Sequence, residues 1–264
     1  MAIANSLAFL LYLCCTALLI RRFVQRDQAN STSLLPVGIL TVIALVFHGA
    51  AISMTMNMEG GWGLNFFTSQ SIVAWLMALV ALIWSARTPN APPGIIIYPL
   101  VAFSIILKTS LPHEEARILI NPALEWHILL SLAAYSLFAL AAIQAVVLAI
   151  QERQLKQRHL AGLMRKLPPL QTMESTLFQL IVSGFILLSL GLLAGAFFIN
   201  DIFAQHLIHK SVLSLIAWYV FAILLWQRWN KGLRGKAAIN WTLIGFGFLL
   251  LAYFGSRFVL EYIL

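Results

Sequence analysis

Eight apolar stretches constrain this chain more than any other feature of its sequence. A helix needs about 20 residues to cross the hydrocarbon core of a bilayer. The stretches lie near residues 3–20, 35–55, 67–86, 93–108, 124–150, 176–199, 211–228 and 239–262. Only 10% of the residues are charged and 61% are apolar, whereas a soluble domain has about 25% charged residues. The sequence therefore predicts an all-α integral membrane protein, with residues 1–264 forming one transmembrane domain, a single bundle of eight helices.

The positions of the lysines and arginines predict how this bundle is oriented. Thirteen of the 17 basic residues fall in the links after spans one, three, five and seven, namely Arg21, Arg22, Arg26, Arg87, Arg153, Lys156, Arg158, Arg165, Lys166, Arg228, Lys231, Arg234 and Lys236. Basic links are retained on the cytoplasmic side of a membrane, so both termini are predicted to face outward. The net charge of +8 then reflects orientation and does not indicate a nucleic-acid partner.

The common catalytic motifs are missing from this sequence. It contains no P-loop, no Gly-rich dinucleotide fingerprint and no recognisable triad, and "HEEAR" (113–117) has Arg117 where a zinc protease needs its second histidine. His206 and His209 have a spacing found in metal sites, which is a weak signal in a short loop. No catalytic residue is predicted, and nothing in the sequence indicates an enzyme.

Two histidines in the predicted outer half of the bundle are candidate ligands. His127 lies about one turn into span five, and His48 lies in span two, roughly 10 Å below the outer surface at 1.5 Å rise per residue. An imidazole in hydrocarbon needs a partner to offset its desolvation, and neutral imidazole is a good axial ligand for haem iron. Lys210 and Arg257 are the cations nearest this side, and carboxylates such as haem propionates prefer such partners.

Each of these candidates also has a structural explanation. A membrane histidine can simply bond to a facing helix, and for His48 the two explanations weigh equally. His127 fits an ordinary residue of the membrane interface. Arg257 can extend outward and pair with Glu261 four residues later. The residues alone leave these alternatives open.

Five segments carry a resemblance to a known family: "EWHILLSLAAYSLF" (125–138), "MESTLFQLIVSGFILLSLGLLAGA" (173–196), "KSVLSLIAWYVFAILLW" (210–226), "NKGLRGKAA" (230–238) and "AYFGSR" (252–257). They resemble the cytochrome c assembly proteins of the CcsA type, and most closely their short YpjD-like branch. The resemblance implies haem handling in cytochrome c biogenesis, at the outer side of a bacterial inner membrane. It also implies that His127 is an external haem-ligand histidine and that His48 corresponds to a histidine of an early span.

The sequence also departs from the larger members of that family. The loop 197–209 has no tryptophan, Trp226 stands where a second membrane histidine is expected, and only seven residues follow Arg257. Two functions are therefore weighed. The favoured one is haem binding or handling; the alternative is a haem-free accessory or interaction subunit of another membrane protein, such as a transporter. An independent transporter ranks last, because no acidic residue lies deep in a span.

Overall fold

The computed structural model describes residues 1–25, 35–58, 61–87, 93–111, 117–118, 122–157, 167–198 and 205–255. These residues form eight α-helices: α1 Ala2–Gln25, α2 Leu35–Met56, α3 Phe66–Arg87, α4 Gly94–Ser110, α5 Pro122–Lys156, α6 Leu170–Phe198, α7 Gln205–Lys231 and α8 Lys236–Leu250. A π-helical turn, Leu251–Gly255, continues α8.

The helices coincide with the predicted apolar stretches. Seven of the described helices are long and apolar enough to cross a membrane, while α4 is a shorter apolar helix of 17 residues with Pro99 inside it. The prediction of a multi-pass helical membrane protein is confirmed. The count of eight spans and the outward termini stay predictions, and the end of the last predicted stretch, 256–262, lies outside the described residues.

A small antiparallel sheet was not predicted. Its strands are β1 Asn57–Met58, β2 Gly61–Gly63 and β3 Arg117–Ile118, in the order β1-β2-β3. β2 pairs with β1 in a hairpin after α2 and with β3 after α4. Strands of two or three residues carry no periodic pattern, so sequence reasoning could not detect them.

The chain forms two compact units. The N-terminal unit, residues 1–119 and 161–168, contains α1 to α4 and the sheet; the C-terminal unit, residues 120–160 and 169–264, contains α5 to α8. In the N-terminal unit α1 packs on α2 and α4, and α3 packs on α2 and α4. In the C-terminal unit α5 packs along α6 over a long contact, and α8 packs on α5 and α7.

The N-terminal unit buries several polar side chains in its otherwise apolar interior and exposes large apolar side chains on its surface. Thr41, His48 and Ser71 are at most 1% exposed, whereas Leu35 and Val46 are 68% and 64% exposed. This distribution suits a bilayer, since lipid tails solvate apolar side chains and polar groups must find partners within the protein.

The C-terminal unit has small residues where its helices meet. A Cβ on Gly184 of α6 would lie 3.2 Å from the ring of Phe138 of α5, and a Cβ on Gly245 of α8 would lie 2.7 Å from the ring of Phe221 of α7. Small residues let helix backbones approach closely, which is how helices associate when the solvent is itself apolar. Glycines on α6 also allow close helix packing at the candidate site.

Candidate functional site

The imidazole of His127 is held at the start of α5 by a bond to α6. Its Nδ1 lies 2.7 Å from the carbonyl oxygen of Gly191. A carbonyl can only accept a hydrogen bond, so Nδ1 carries the hydrogen, and in the neutral ring Nε2 then carries a lone pair. Within the described part of the chain, this is the one hydrogen bond of the ring. His127 is thus a half-buried imidazole of fixed tautomer with its second nitrogen available as a ligand.

Two glycines on α6 make room for this ring. A Cβ on Gly195 would lie 2.9 Å from both Cε1 and Nδ1 of His127, and a Cβ on Gly191 would lie 3.2 Å from the hydroxyl of Ser131. Gly191 and Gly195 are four residues apart and so share one face of α6. Gly191 and Gly195 together form a glycine notch on α6, and His127 of α5 packs against this notch. The spacing of the two glycines was the available sequence signal, and sequence reasoning missed it.

His48 lies in the interior of the N-terminal unit. It is 0% exposed, and its Nε2 is hydrogen-bonded to the hydroxyl of Ser71 at 2.9 Å. The imidazole also packs edge-to-face against the ring of Tyr12, and the two ring centroids lie 5.9 Å apart. Its Nδ1 is buried without a hydrogen-bond partner among the described residues. Helix contacts therefore occupy most of this imidazole, and one buried nitrogen remains unsatisfied.

The two candidate cations are unequally described. Lys210 is half-buried and is the sixth residue of α7, which begins at Gln205. Arg257 lies outside the described residues, as do the side chains of His206 and His209. His48 belongs to the N-terminal unit, and His127 and Lys210 belong to the C-terminal unit.

Sequence reasoning also missed a buried cation in the N-terminal unit. Lys108 of α4 is 3% exposed and donates a hydrogen bond to the hydroxyl of Thr55 at 3.0 Å. Sequence reasoning could not detect this burial, because Lys108 lies near the end of α4, where a lysine can equally reach solvent. No group of three or more metal-binding side chains occurs among the described residues.

Comparisons with known proteins show to which family the chain is related. The profile of the family described as "Cytochrome C assembly protein" matches residues 3–264. "Inner membrane protein YpjD" of Escherichia coli strain K12 is 34% identical over 228 residues, 85% of this chain and 86% of that protein. "Cytochrome c biogenesis protein CcsA" of Guillardia theta is 24% identical over 219 residues, 74% of this chain and 73% of that protein. "Protein HemX" of Brevibacillus brevis is 24% identical over 165 residues, covering 62% and 61%.

No solved structure gives a significant match. The apolar helices and the similarity to an inner membrane protein identify the chain as a multi-pass protein of the bacterial inner membrane, with the lipid bilayer as its surroundings. The family profile covers nearly every residue, and the resemblance recognised in the five sequence segments is confirmed. The chain belongs to the cytochrome c assembly protein family.

Proposed function

We propose that this protein binds and handles haem at the outer side of the inner membrane, in cytochrome c biogenesis, with His127 as an iron ligand. One observation carries the proposal: the 2.7 Å hydrogen bond from Nδ1 of His127 to the carbonyl of Gly191. Metal-binding histidines generally donate their second ring nitrogen to a carbonyl or carboxylate, which fixes the tautomer and makes the ligand nitrogen more basic. The family membership supports the same function.

The residues around His127 fit an axial ligand. The ring sits against the glycine notch on α6 and is half-buried, so its orientation is set before any ligand arrives. Haem supplies an iron centre that takes axial imidazole ligands and two propionate carboxylates that need cations. In this proposal His127 provides the imidazole, and Lys210 and Arg257 provide the cations.

Replacing Arg257 by glutamine is expected to lower haem affinity while leaving the spectrum of the bound form unchanged.

His48 is the second candidate for iron. Its Nε2 is already bonded to Ser71 at 2.9 Å, so ligation through that nitrogen requires the serine bond to be exchanged for the iron bond. Nδ1 is unsatisfied among the described residues but fully enclosed. His127 therefore ranks first, and His48 is proposed as the ligand that would act after a rearrangement of α2 against α3.

The proposal includes eight spans in one transmembrane domain, with both termini outside. The shortest of these spans is α4. Its 17 residues extend about 26 Å at 1.5 Å per residue, against a hydrocarbon core of about 30 Å. Modest thinning of the bilayer can accommodate that difference at small cost. With α4 counted, the four basic links fall on one side of the membrane.

A haem-free accessory subunit is the second candidate function. The hydrogen bond to Gly191 also accounts for His127 as a contact between two helices that needs no ligand. In addition, α7 has three exposed aromatic side chains, Tyr219, Trp226 and Trp229, which are 62%, 54% and 72% exposed. Another membrane protein could cover such a surface, since aromatic residues are enriched at interfaces.

An absorption spectrum separates the two functions. The protein is purified in a mild detergent, and spectra are recorded before and after addition of haem and removal of the excess. Haem handling predicts a Soret band that stays with the protein and shows low-spin features. A protein that remains colourless after haem addition rejects the proposed function and leaves the accessory role.

A further inference from the structure

A charged cavity lies at one end of the C-terminal unit. Its volume is about 460 Å³, and it is lined by Leu148, Glu152, Leu155, Lys156, Leu170, Glu174, Arg234 and Gly235. These residues come from the end of α5, the start of α6 and the turn between α7 and α8. The cavity therefore combines an apolar wall of leucines with a charged rim.

The two carboxylates of this cavity are already paired. Glu152 accepts a hydrogen bond from Lys156 at 2.5 Å. Glu174 accepts one from Arg228 at 3.1 Å. The Arg228 guanidinium also lies 4.4 Å from the centre of the Phe178 ring and donates to the carbonyl of Leu233 at 2.9 Å, so it is fixed in place.

The surplus charge of the cavity is carried by Arg234. The lining holds two carboxylates and two cations, but Glu174 is paired with Arg228, which lies outside the lining, and Glu152 is paired with Lys156. Arg234 has no ion pair among the residues that the structure describes. The cavity thus offers one unneutralised guanidinium, a group whose planar set of donors matches the oxygens of a phosphate.

Glycines on either side of Arg234 set the turn that presents it. Gly232 and Gly235 have φ values of +63° and +58°, which only glycine adopts without strain. A Cβ on Gly235 would lie 3.9 Å from the Glu152 carboxylate oxygens, so the turn lies directly beside the end of α5. The turn "GLRG" therefore places Arg234 among the residues that line the cavity.

The cavity lies at the ends of four candidate membrane spans. Lys156 ends one candidate membrane span and Leu170 begins the next, while Arg234 and Gly235 lie between the spans that end at Lys231 and begin at Lys236. Phospholipid headgroups occupy this level of the bilayer, with their acyl chains below them. A ligand here would place its phosphate at the arginine and its apolar part against the leucines.

We propose that this cavity binds one anionic phospholipid, with the headgroup phosphate on Arg234 and an acyl chain along Leu155 and Leu170. The negative headgroup complements the surplus positive charge, and Leu155, 37% exposed, provides apolar surface that an acyl chain can cover. This site is independent of haem: its residues are at the opposite end of α5 from His127, and its test needs no haem.

Native mass spectrometry of the protein in mild detergent tests the site with phosphatidylglycerol and phosphatidylcholine as probes. The parent is expected to retain phosphatidylglycerol preferentially. Arg234→Gln is expected to reduce that retention about tenfold, the effect of losing one hydrogen bond between charged groups. Arg234→Lys keeps the charge and should restore part of the retention. Arg153→Gln is the matched control, because Arg153 is exposed on α5 and does not line the cavity.

Three results would overturn the proposal. Equal retention by Arg234→Gln and Arg153→Gln means that general surface charge attracts the lipid. Equal retention of the two lipids by the parent means that the headgroup charge is not recognised. Thermal stabilisation of the delipidated protein by millimolar inorganic phosphate, lost in Arg234→Gln, means that the site takes free phosphate. Parent-like retention by Arg153→Gln together with the loss in Arg234→Gln supports the proposal.

Discussion

Replacing Gly195 by alanine places a methyl group against the imidazole of His127. The new Cβ would lie 2.9 Å from Cε1 and Nδ1, whereas ordinary van der Waals contact begins at 3.4 Å. The ring must therefore move by about half an ångström, the difference between those two distances. That movement strains the hydrogen bond to Gly191. Overpacking of this kind costs about 1–3 kcal/mol.

The expected cost has to be separated from the helix propensity of alanine. Alanine is more favourable than glycine in a helix by about 1 kcal/mol, which partly hides the effect of the contact. Gly247→Ala in α8 is the matched control, because nothing lies within 4 Å of its added Cβ. The unfolding free energy of the two variants, measured in mixed micelles of mild detergent and dodecyl sulfate, should differ by about 1–3 kcal/mol.

The same pair of variants tests the role of the ring in ligand binding. Gly195→Ala is expected to lower haem affinity, since it displaces Nε2 together with the ring, while Gly247→Ala should bind haem like the parent. Equal unfolding free energies for the two variants would refute the packing of His127 in the glycine notch. If Gly195→Ala is destabilised but binds haem with unchanged affinity, His127 packs against the glycine notch as described but does not bind the iron.

Three further predictions follow from the fold. Trp75→Phe should destabilise the protein by about 0.5–1.5 kcal/mol because it removes the 2.8 Å hydrogen bond to the Leu45 carbonyl; unchanged unfolding in mixed micelles would contradict this. Arg228→Ala should destabilise it by about 1.5–3 kcal/mol, measured in the same way, since it leaves the half-buried Glu174 without its 3.1 Å partner; Glu174→Gln, which leaves no unpaired carboxylate, should cost less. A reporter fused after Leu264 should behave as external to the membrane, and a cytoplasmic signal would overturn the span count or the orientation.

The helices were predictable from the sequence because each apolar run had to be about as long as a bilayer is thick. The stretch predicted at 35–55 became α2, Leu35–Met56. The apolar stretch predicted at 124–150 lies within α5, which continues to Lys156, because a helix can extend past the apolar part of a span when residues such as Arg153 and Lys156 are exposed. Hydropathy therefore detects the buried part of a membrane helix better than it detects the end of that helix.

The partners of the candidate histidines were not predictable in the same way. Membrane helices are apolar on every side, so their sequence does not reveal which face meets a neighbour. The hydrogen bond from His127 to Gly191 joins residues 64 positions apart. The bond from His48 to Ser71 joins residues 23 positions apart. The sequence predicted that these imidazoles need partners, and the packing of the helices determines which partners they have.

A haem titration of three proteins tests the central claim most directly: the parent, His127→Ala and the matched control His159→Ala, whose histidine lies in the link after span five, which is predicted to be cytoplasmic. Each is purified in mild detergent, and haem binding is followed by the absorption spectrum. The account predicts that His159→Ala keeps the parent's Soret band and affinity, while His127→Ala loses the band, shifts it or binds more weakly. The same spectrum and affinity in all three proteins, or no haem binding by the parent, would contradict the claim that His127 is an iron ligand.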